Sequence, residues 1–256
     1  MEMGKTFKEY LDHIFQECDM NQFENKNIVI TGATSGIGRS LTKKLNTLGA
    51  NLAICGRSEI KMSQLLNDLN LKNGNFHHET FDISNENAII SFIKNTKKKL
   101  GQIDILVNCA GANTARGFVS EINTKDLEWM LKVNLVAPFI FMRETYKTMS
   151  NKDSGVFINV LSTVCDFSNE GLGAYTASKA GFDALVKVFR KEVREKNIKV
   201  CSIYPGGVDT PFREASRPDY LNPEKVADAI ISMIQFDSIS SVDELVIRPM
   251  IEKNYC

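Results

Sequence analysis

The stretch NIVITGATSGIG, from Asn27 to Gly38, joins a short apolar run to a glycine-rich turn that opens a helical pattern. Its first five residues have the length and the β-branched content of a buried strand. Glycines in such a turn let the backbone approach a ligand closely, and the N-terminus of the next helix offers free N–H groups to a pyrophosphate. A glycine-rich turn alone is a weak signal, but its place between a strand and a helix predicts a dinucleotide-binding loop.

The rest of the chain repeats this alternation of short apolar runs and helical segments. Strands are predicted at 27–31, 51–55, 75–81, 103–108, 155–161, 198–204 and 243–249, and helices at 36–48, 58–70, 85–100, 124–150, 173–197 and 223–236. Strands separated by helices pair in parallel through right-handed crossovers. The pattern therefore predicts an α/β fold, a doubly wound Rossmann-type parallel sheet of about seven strands flanked by helices, in a single domain over residues 26–256.

Residues 1–25 precede this pattern and form a separate N-terminal extension. Their apolar residues recur at helical spacing: Phe7, Tyr10, Leu11, Ile14, Phe15 and Cys18. Such spacing predicts an amphipathic helix that docks on the body of the protein or on another subunit.

The composition excludes several classes of protein. Basic and acidic residues are balanced at 31 each, so we expect neither a nucleic-acid nor a membrane partner. The six cysteines and three histidines have no metal-ligand spacing, and neither a disulfide framework nor a metal site is expected. No apolar run has the length of a signal peptide core or a membrane span, which predicts a reduced, cytoplasmic protein.

The G-x-x-x-G-x-G spacing of TGATSGIG, Thr31 to Gly38, resembles the cofactor loop of the short-chain dehydrogenase/reductase family, in its shorter single-domain branch. The resemblance extends from about Lys26 to Pro249. It also includes NCAG, residues 108–111, and IYPGGVDTP, residues 203–211, the latter being similar to a motif that closes over the nicotinamide. The resemblance implies cofactor contacts from Gly32, Thr34, Ser35, Gly36, Ile37, Gly38, Asp82, Ile83, Asn108, Ala110, Gly111, Tyr175, Lys179, Pro205, Gly206, Val208 and Thr210.

The end of the second strand indicates which dinucleotide is bound. Folds that take NAD carry an acidic residue there, which accepts hydrogen bonds from the ribose. This chain has Gly56 followed by Arg57, and a guanidinium can bind a 2′-phosphate through paired charge-assisted bonds. NADP(H) is therefore favoured, and NAD(H) is the alternative. Two observations leave the choice open: Arg57 could be a solvated loop residue, and Ser35 stands where many NADP-using relatives carry a second basic residue.

The segment AYTASKAG places Tyr175 and Lys179 four residues apart on one face of a predicted helix. A phenol has an ordinary pKa of about 10 and exchanges protons poorly at neutral pH. A neighbouring ammonium group favours the phenolate and makes the tyrosine a better proton-transfer group. By itself, such a pair is weak evidence, because a tyrosine and a lysine at this spacing often occur by chance on exposed helix surfaces.

Two further residues turn this pair into a catalytic hypothesis. Ser162 lies 13 positions before Tyr175, a separation that the family shares, and its hydroxyl could hold a carbonyl oxygen; the adjacent Thr163 is the alternative. In WMLKVNLVAPF, Pro138 follows Asn134 by four residues and cannot donate the helical hydrogen bond to its carbonyl, so a kink and a free acceptor for water are expected. The resemblance implies a catalytic tetrad of Asn134, Ser162, Tyr175 and Lys179.

The predicted partner is a small-molecule carbonyl or alcohol substrate. The candidate walls of its site are Val164, Phe167, Leu172 and Phe212, and Arg116, Arg213 and Arg217 could bind a carboxylate or phosphate or could simply be solvated. Two other functions compete. A reductase of carrier-bound 3-oxoacyl chains would need a basic docking face, which the sequence does not plainly show. A non-catalytic NADP(H)-binding regulator is disfavoured because all four residue types of the tetrad are present.

The two longest predicted helices carry more apolar residues than packing on one sheet requires, including Phe139, Phe141, Phe182 and Phe189. In the resembled family these helices pair between subunits. A homodimer or homotetramer is therefore expected.

Overall fold

The computed structural model describes residues 22–71, 75–149, 154–212, 215–236 and 239–253. Seven parallel strands form one sheet in the order β3-β2-β1-β4-β5-β6-β7. They are β1 (Asn27–Thr31), β2 (Asn51–Gly56), β3 (Phe76–Thr80), β4 (Ile105–Asn108), β5 (Gly155–Val160), β6 (Ile198–Pro205) and β7 (Glu244–Ile247). The predicted fold class is confirmed, and the strand ends differ from the predicted ones by two residues at most.

Helices cover both faces of the sheet. They are α1 (Gly36–Thr47), α2 (Glu59–Asp68), α3 (Glu86–Leu100), α4 (Thr124–Leu131), α5 (Ala137–Met149), α6 (Gly173–Val193) and α7 (Pro223–Gln235). Side chains that precede α2, α3, α4 and α7 accept backbone N–H groups of the first turn: Ser58, Asn85, Asn123 and Asn222. These caps fix the starts of the helices, because the first N–H groups of a helix have no partner within it. None of the described helices is long and apolar enough to cross a membrane.

The helix predicted over 124–150 is interrupted by a π-helical turn at Lys132–Val136, which separates α4 from α5. The N–H of Ala137 donates to the carbonyl of Lys132, five residues back. Because Pro138 has no N–H, the α-helical bond to the carbonyl of Asn134 cannot form. The irregularity expected from the proline thus takes the form of a π turn, a feature found frequently at functional sites.

Two hydrophobic clusters lie on opposite faces of the sheet. In β1, Ile28 and Ile30 belong to the cluster that packs against α1, α2 and α7, whereas Val29 belongs to the cluster that packs against α3, α5 and α6. Phe141 and Phe182 are 1% exposed in the second cluster. The prediction that these two rings are spare apolar surface for subunit pairing is therefore wrong, since the core of this chain already buries them.

The sheet reverses its direction of growth between β1 and β4. From β1 the chain adds β2 and β3 on one side, and it then returns to place β4 on the other side of β1. Connections that leave neighbouring strands in opposite directions open a crevice at the carboxyl ends of those strands.

The N-terminal helix predicted within residues 1–25 lies almost wholly outside the described residues. Phe23, near the end of that segment, is 1% exposed and packs in the cluster with α1 and α7. The division into an extension and one domain stays a prediction.

Candidate active site

A cleft of about 630 Å³ opens at the carboxyl ends of the strands. Three of the four predicted catalytic residues line it: Ser162, Tyr175 and Lys179. The predicted cofactor positions that also line it are Gly32, Ser35, Gly36, Ile37, Arg57, Ala110, Gly111, Pro205, Gly206, Val208 and Thr210. Those that do not line it are Thr34, Gly38, Asp82, Ile83 and Asn108, and the fourth predicted catalytic residue, Asn134, does not line it either.

The turn after β1 has no room for side chains at its glycines. Gly32 has a φ of +67°, and a Cβ there would lie 2.8 Å from the Cα of Ala110. A Cβ on Gly38 would collide with the carbonyl oxygen of Gly32. The Thr31 hydroxyl accepts the N–H groups of both Cys109 and Ala110 at 3.0 Å, which fixes the NCAG segment beside the glycine turn. The backbone therefore forms one wall of the cleft, as close approach to a dinucleotide requires.

The predicted cofactor positions that do not line the cleft support those that do. Thr34 is buried and occupies the space beside Gly56, where a Cβ would lie 2.7 Å from the Thr34 methyl group. The Asn108 side chain donates to the Asn159 side chain at 3.0 Å and ties β4 to β5.

The Asp-Ile pair after β3 also lies outside the lining. Asp82 accepts the N–H of Ser84 at 2.8 Å in the turn that leads to α3, and Ile83 packs against the core. A cofactor role for these two residues stays a prediction.

Tyr175 and Lys179 lie one turn apart near the start of α6, and both face the cleft. Lys179 is 5% exposed, and its ammonium group donates to the carbonyl of Val160 at the end of β5 at 2.9 Å. Burial lowers the pKa of Lys179, because removal from water disfavours the charged form, and the nearby thiols of Cys165 and Cys109 act in the opposite direction.

Ser162 begins the 3₁₀ turn Thr163–Cys165 directly after β5, and its hydroxyl accepts the N–H of Val164 at 3.3 Å. The hydroxyl keeps its own hydrogen for a substrate oxygen. The ring of Phe212 lies 6.1 Å from that of Tyr175, at an interplanar angle of 55°.

Cys109 lines the cleft, but its thiol is not a nucleophile at neutral pH. Burial raises the pKa of Cys109 to about 11. Only thiolates react readily, so a neutral buried thiol behaves as a small apolar group.

Asn134 lies beneath the cleft in the π turn and is fully buried. Its amide group donates to the carbonyl of Ala112 at 2.8 Å and to the Ser178 hydroxyl at 3.0 Å, while its oxygen accepts the N–H of Ala112 at 2.9 Å. The Ser178 hydroxyl donates in turn to the carbonyl of Tyr175 at 2.7 Å. The side chain thus joins the loop after β4 to the turn of α6 that carries Tyr175, a role that the sequence argument, built on its main chain, missed.

Sequence reasoning also missed several residues of the lining, among them four with polar or charged side chains: Lys61, Tyr220, Glu252 and Lys253. Glu252 follows β7 and accepts the N–H of Gly207 at 2.6 Å. Its second oxygen is buried without a hydrogen bond and lies 4.0 Å from the Arg248 guanidinium, which stacks at 4.6 Å over the ring of Phe167. The C-terminal segment therefore connects the loops that follow β5 and β6.

Of these four residues, only Lys61 could have been found from the sequence, because it lies four positions after Arg57 and so at helical spacing from it. The other three residues belong to segments whose path no local pattern specifies.

Hydrogen bonds hold the base of the loop that follows β6. Leu221 exchanges backbone hydrogen bonds with Gly207 and Asp209, and the Asp209 carboxylate accepts the N–H of Arg217 at 2.9 Å. Of the predicted apolar walls, Val164, Leu172 and Phe212 line the cleft and Phe167 does not. Of the three candidate arginines, Arg116 lines it, Arg217 does not, and Arg213 lies outside the described residues.

Comparison with known proteins agrees with this geometry. The chain matches the family model described as short chain dehydrogenase over residues 26–221. It is 30% identical over 235 residues to an uncharacterized oxidoreductase of Staphylococcus saprophyticus, covering 90% of this chain and 100% of that protein.

Two solved structures share the fold. One is a metagenomic short-chain oxidoreductase in complex with NADP, with a TM-score of 0.80 and 26% identity over 90% of this chain and 99% of the other. The second is an alcohol dehydrogenase of Thermococcus sibiricus complexed with 5-hydroxy-NADP, with a TM-score of 0.81 and 22% identity over 89% of this chain and 98% of the other.

Proposed function

The chain belongs to the short-chain dehydrogenase family, and on that premise we propose that it is an NADP(H)-dependent oxidoreductase acting on small molecules. The reaction moves hydride between the nicotinamide and a carbonyl or alcohol carbon. One observation carries the proposal: a tyrosine and a buried lysine, one helical turn apart, face a serine hydroxyl in a cleft whose other wall is a glycine turn.

The bound nicotinamide supplies or accepts the hydride, and the residues of this chain position the substrate and move the proton. The hydroxyls of Ser162 and Tyr175 hold the substrate oxygen between them. In the reductive direction Tyr175 gives its phenolic proton to that oxygen, and in the oxidative direction it takes the proton back. Lys179 in its ammonium form stabilises the phenolate. Burial opposes that form, but the negative phosphates of a dinucleotide in the same cleft favour it.

Three observations support NADP(H) over NAD(H), and two of them concern the end of β2. Thr34 fills the space in which a side chain on Gly56 would lie, so no acid can stand there without a rearrangement. Arg57 and Lys61 are exposed cations that both line this end of the cleft. An oxidoreductase 26% identical to this chain was solved with NADP. The two cations provide the charge that a 2′-phosphate needs.

The proposal is tested by following absorbance of the reduced nicotinamide with a panel of aldehydes, ketones and hydroxy acids, using both dinucleotides. We expect turnover with a higher kcat/KM for NADP(H) than for NAD(H). The double substitution R57Q/K61Q should reduce that preference by at least about tenfold and leave kcat/KM for NAD(H) nearly unchanged.

A control variant, K97Q/K98Q, removes the same charge from exposed positions of α3 that do not line the cleft. Equal use of both dinucleotides by the unmodified protein would contradict the NADP(H) assignment. Absence of any turnover across the panel would contradict the assignment of the protein as an oxidoreductase.

Assembly and location are part of the same proposal. Val136, Leu185 and Val188 are 39%, 37% and 55% exposed along the π turn and α6. They support pairing of these surfaces in a homodimer or homotetramer, which light scattering would test. We also propose a cytoplasmic location, where thiols such as Cys55 and Cys201 stay reduced.

A further inference from the structure

The charge of the cleft differs from that of the whole chain. The chain has 31 basic and 31 acidic residues. Among the described residues that line the cleft, the cations are Arg57, Lys61, Arg116, Lys179 and Lys253, and the acid is Glu252. The lining therefore carries a net charge of about +4 when all six groups are ionised, from five cations and one acid. Such an excess inside a cavity concentrates anions there, because the protein walls focus the field.

Three of the five cations are explained by the proposed reaction. Lys179 is the buried partner of Tyr175, and Arg57 and Lys61 lie at the end of β2, where the 2′-phosphate of the cofactor would bind. Arg116 and Lys253 are left.

Both remaining cations belong to the substrate end of the cleft. Arg116 lies between Ala115, which packs in the cluster around Tyr175, and Gly117, which bridges to Leu172 just before α6. Lys253 follows Glu252, whose carboxylate contacts Gly207 after β6. Arg116 and Lys253 thus reach the same cleft as Tyr175 from two separate segments of the chain.

No group in the described part of the chain neutralises these two cations. Arg116 and Lys253 are exposed, and neither makes an ion pair or a hydrogen bond with the described residues. Glu252 is the one acid among the described residues of the lining. Its carboxylate already accepts the N–H of Gly207 and lies beside the Arg248 guanidinium.

We propose that the substrate carries an anionic group, a carboxylate or a phosphate, and that Arg116 and Lys253 determine this specificity. The inference rests on the proposed function, because it assigns a substrate class to the same cleft. The reactive carbonyl lies against Ser162 and Tyr175, and the anion lies toward the mouth, between the loop after β4 and the C-terminal segment. Charge-assisted hydrogen bonds to two cations hold the anion and orient the carbonyl.

The experiment compares matched charged and neutral aldehydes with NADPH. Succinic semialdehyde and its methyl ester test for a carboxylate, and glyceraldehyde phosphate and glyceraldehyde test for a phosphate. At low ionic strength we expect the charged member of at least one pair to have a kcat/KM at least about tenfold higher than its neutral partner. Added salt should reduce that ratio, since it screens exposed charges.

The double variant R116Q/K253Q should abolish the preference by raising KM for the charged aldehyde much more than for the neutral one. K97Q/K98Q removes an equal charge from α3 and should keep the preference. If the unmodified protein treats both members of both pairs alike, or if R116Q/K253Q loses charged and neutral substrates equally, the inference is wrong, while the proposed function stands on the neutral turnover.

A binding measurement decides the inference even where none of these aldehydes is reduced. Acetate and inorganic phosphate are titrated into the NADPH-loaded protein, and binding is followed by the fluorescence of the bound NADPH. Saturable binding of one anion, weakened at least about tenfold in R116Q/K253Q but not in K97Q/K98Q, supports the inference. Absence of saturable binding, or equal binding by both variants, overturns it.

Discussion

The nucleotide end of the cleft and its substrate end are built from different parts of the chain. At the nucleotide end, the wall is backbone: Gly32 and Gly38 leave no space for a Cβ, and Thr31 fixes the neighbouring strand end. At the substrate end, the wall consists of side chains from several separate segments, among them Phe212 and Lys253. We therefore expect the glycines of the first end to tolerate almost no substitution, and the side chains of the second to change specificity without a change in the fold.

The largest effect is expected where the two ends meet, at Tyr175. Replacement by Phe removes the proton-transfer group and leaves the apolar ring that packs near Phe212. We expect kcat to fall by about 10²–10⁴-fold with little change in NADPH affinity, because general acid–base catalysis contributes about that factor. Steady-state kinetics measures kcat, and fluorescence titration with NADPH measures its affinity. Retained turnover would rule out the assignment of Tyr175.

The next largest effect tests the backbone wall. In G38A the new methyl group would overlap the carbonyl oxygen of Gly32, and the turn must move. Overpacking of this kind costs about 1–3 kcal/mol, so NADPH affinity should fall by up to about a hundredfold. The control is G155A, whose Cβ meets mainly the flexible Met149 side chain. If G38A binds NADPH as the unmodified protein does, the nucleotide end is not fixed by its backbone.

A smaller effect is expected at the C-terminal segment. E252A removes the acceptor of the Gly207 N–H, so the loop after β6 should lose its fixed position and kcat/KM should fall by about tenfold, mainly through KM.

Three readouts separate positioning by Glu252 from a general loss of stability. E252Q keeps an acceptor and should recover most of the activity. The control E244Q breaks the ion pair with Arg190 elsewhere on β7 and should leave KM unchanged. The unfolding midpoints of the three variants show whether any of them is destabilised. Equal KM values in E252A and the unmodified protein would exclude a positioning role.

The smallest effect concerns stability, at the buried Lys179. Its pKa is lowered in the folded protein by burial, so the unfolded chain binds more protons than the folded one between that pKa and the ordinary lysine value. Burial of the ammonium therefore destabilises the fold at neutral and lower pH, and this destabilisation disappears as pH rises through the window.

We expect K179M to be inactive but about 1 kcal/mol more stable at neutral pH, since replacement of a buried charge by an apolar side chain is often stabilising. Urea unfolding across pH measures the difference, which should shrink as pH rises toward the ordinary pKa of lysine. A difference that grows with pH would contradict the lowered pKa.

The same contrast between the two ends explains what the sequence could predict. The glycine turn and the Tyr175–Lys179 pair are contiguous or one helical turn apart, so their geometry follows from local rules. The central strands follow from short continuous apolar runs, because a doubly wound sheet buries each central strand on both faces.

Glu252 and Lys253 could not be predicted in the same way. They reach the cleft only because the chain after β7 turns back toward Gly207, and that path depends on tertiary contacts. The hydrogen bonds of the Asn134 amide could not be predicted from local sequence either, because their acceptors are a loop carbonyl and a serine on another helix. Phe141 and Phe182 show the opposite error, because periodicity marks an apolar face without telling which surface covers it.

The π turn at Lys132–Val136 makes the active site sensitive to the length of the chain as well as to its residue types. Each residue of a regular helix advances the direction of the side chain by about 100°, and a π turn accommodates one extra residue. Deletion of a single residue between Leu131 and Asn134 would remove the extra residue of the π turn and would rotate the Asn134 amide away from Ala112 and Ser178. An insertion or deletion here would therefore separate the loop from its catalytic helix even if every functional residue were kept.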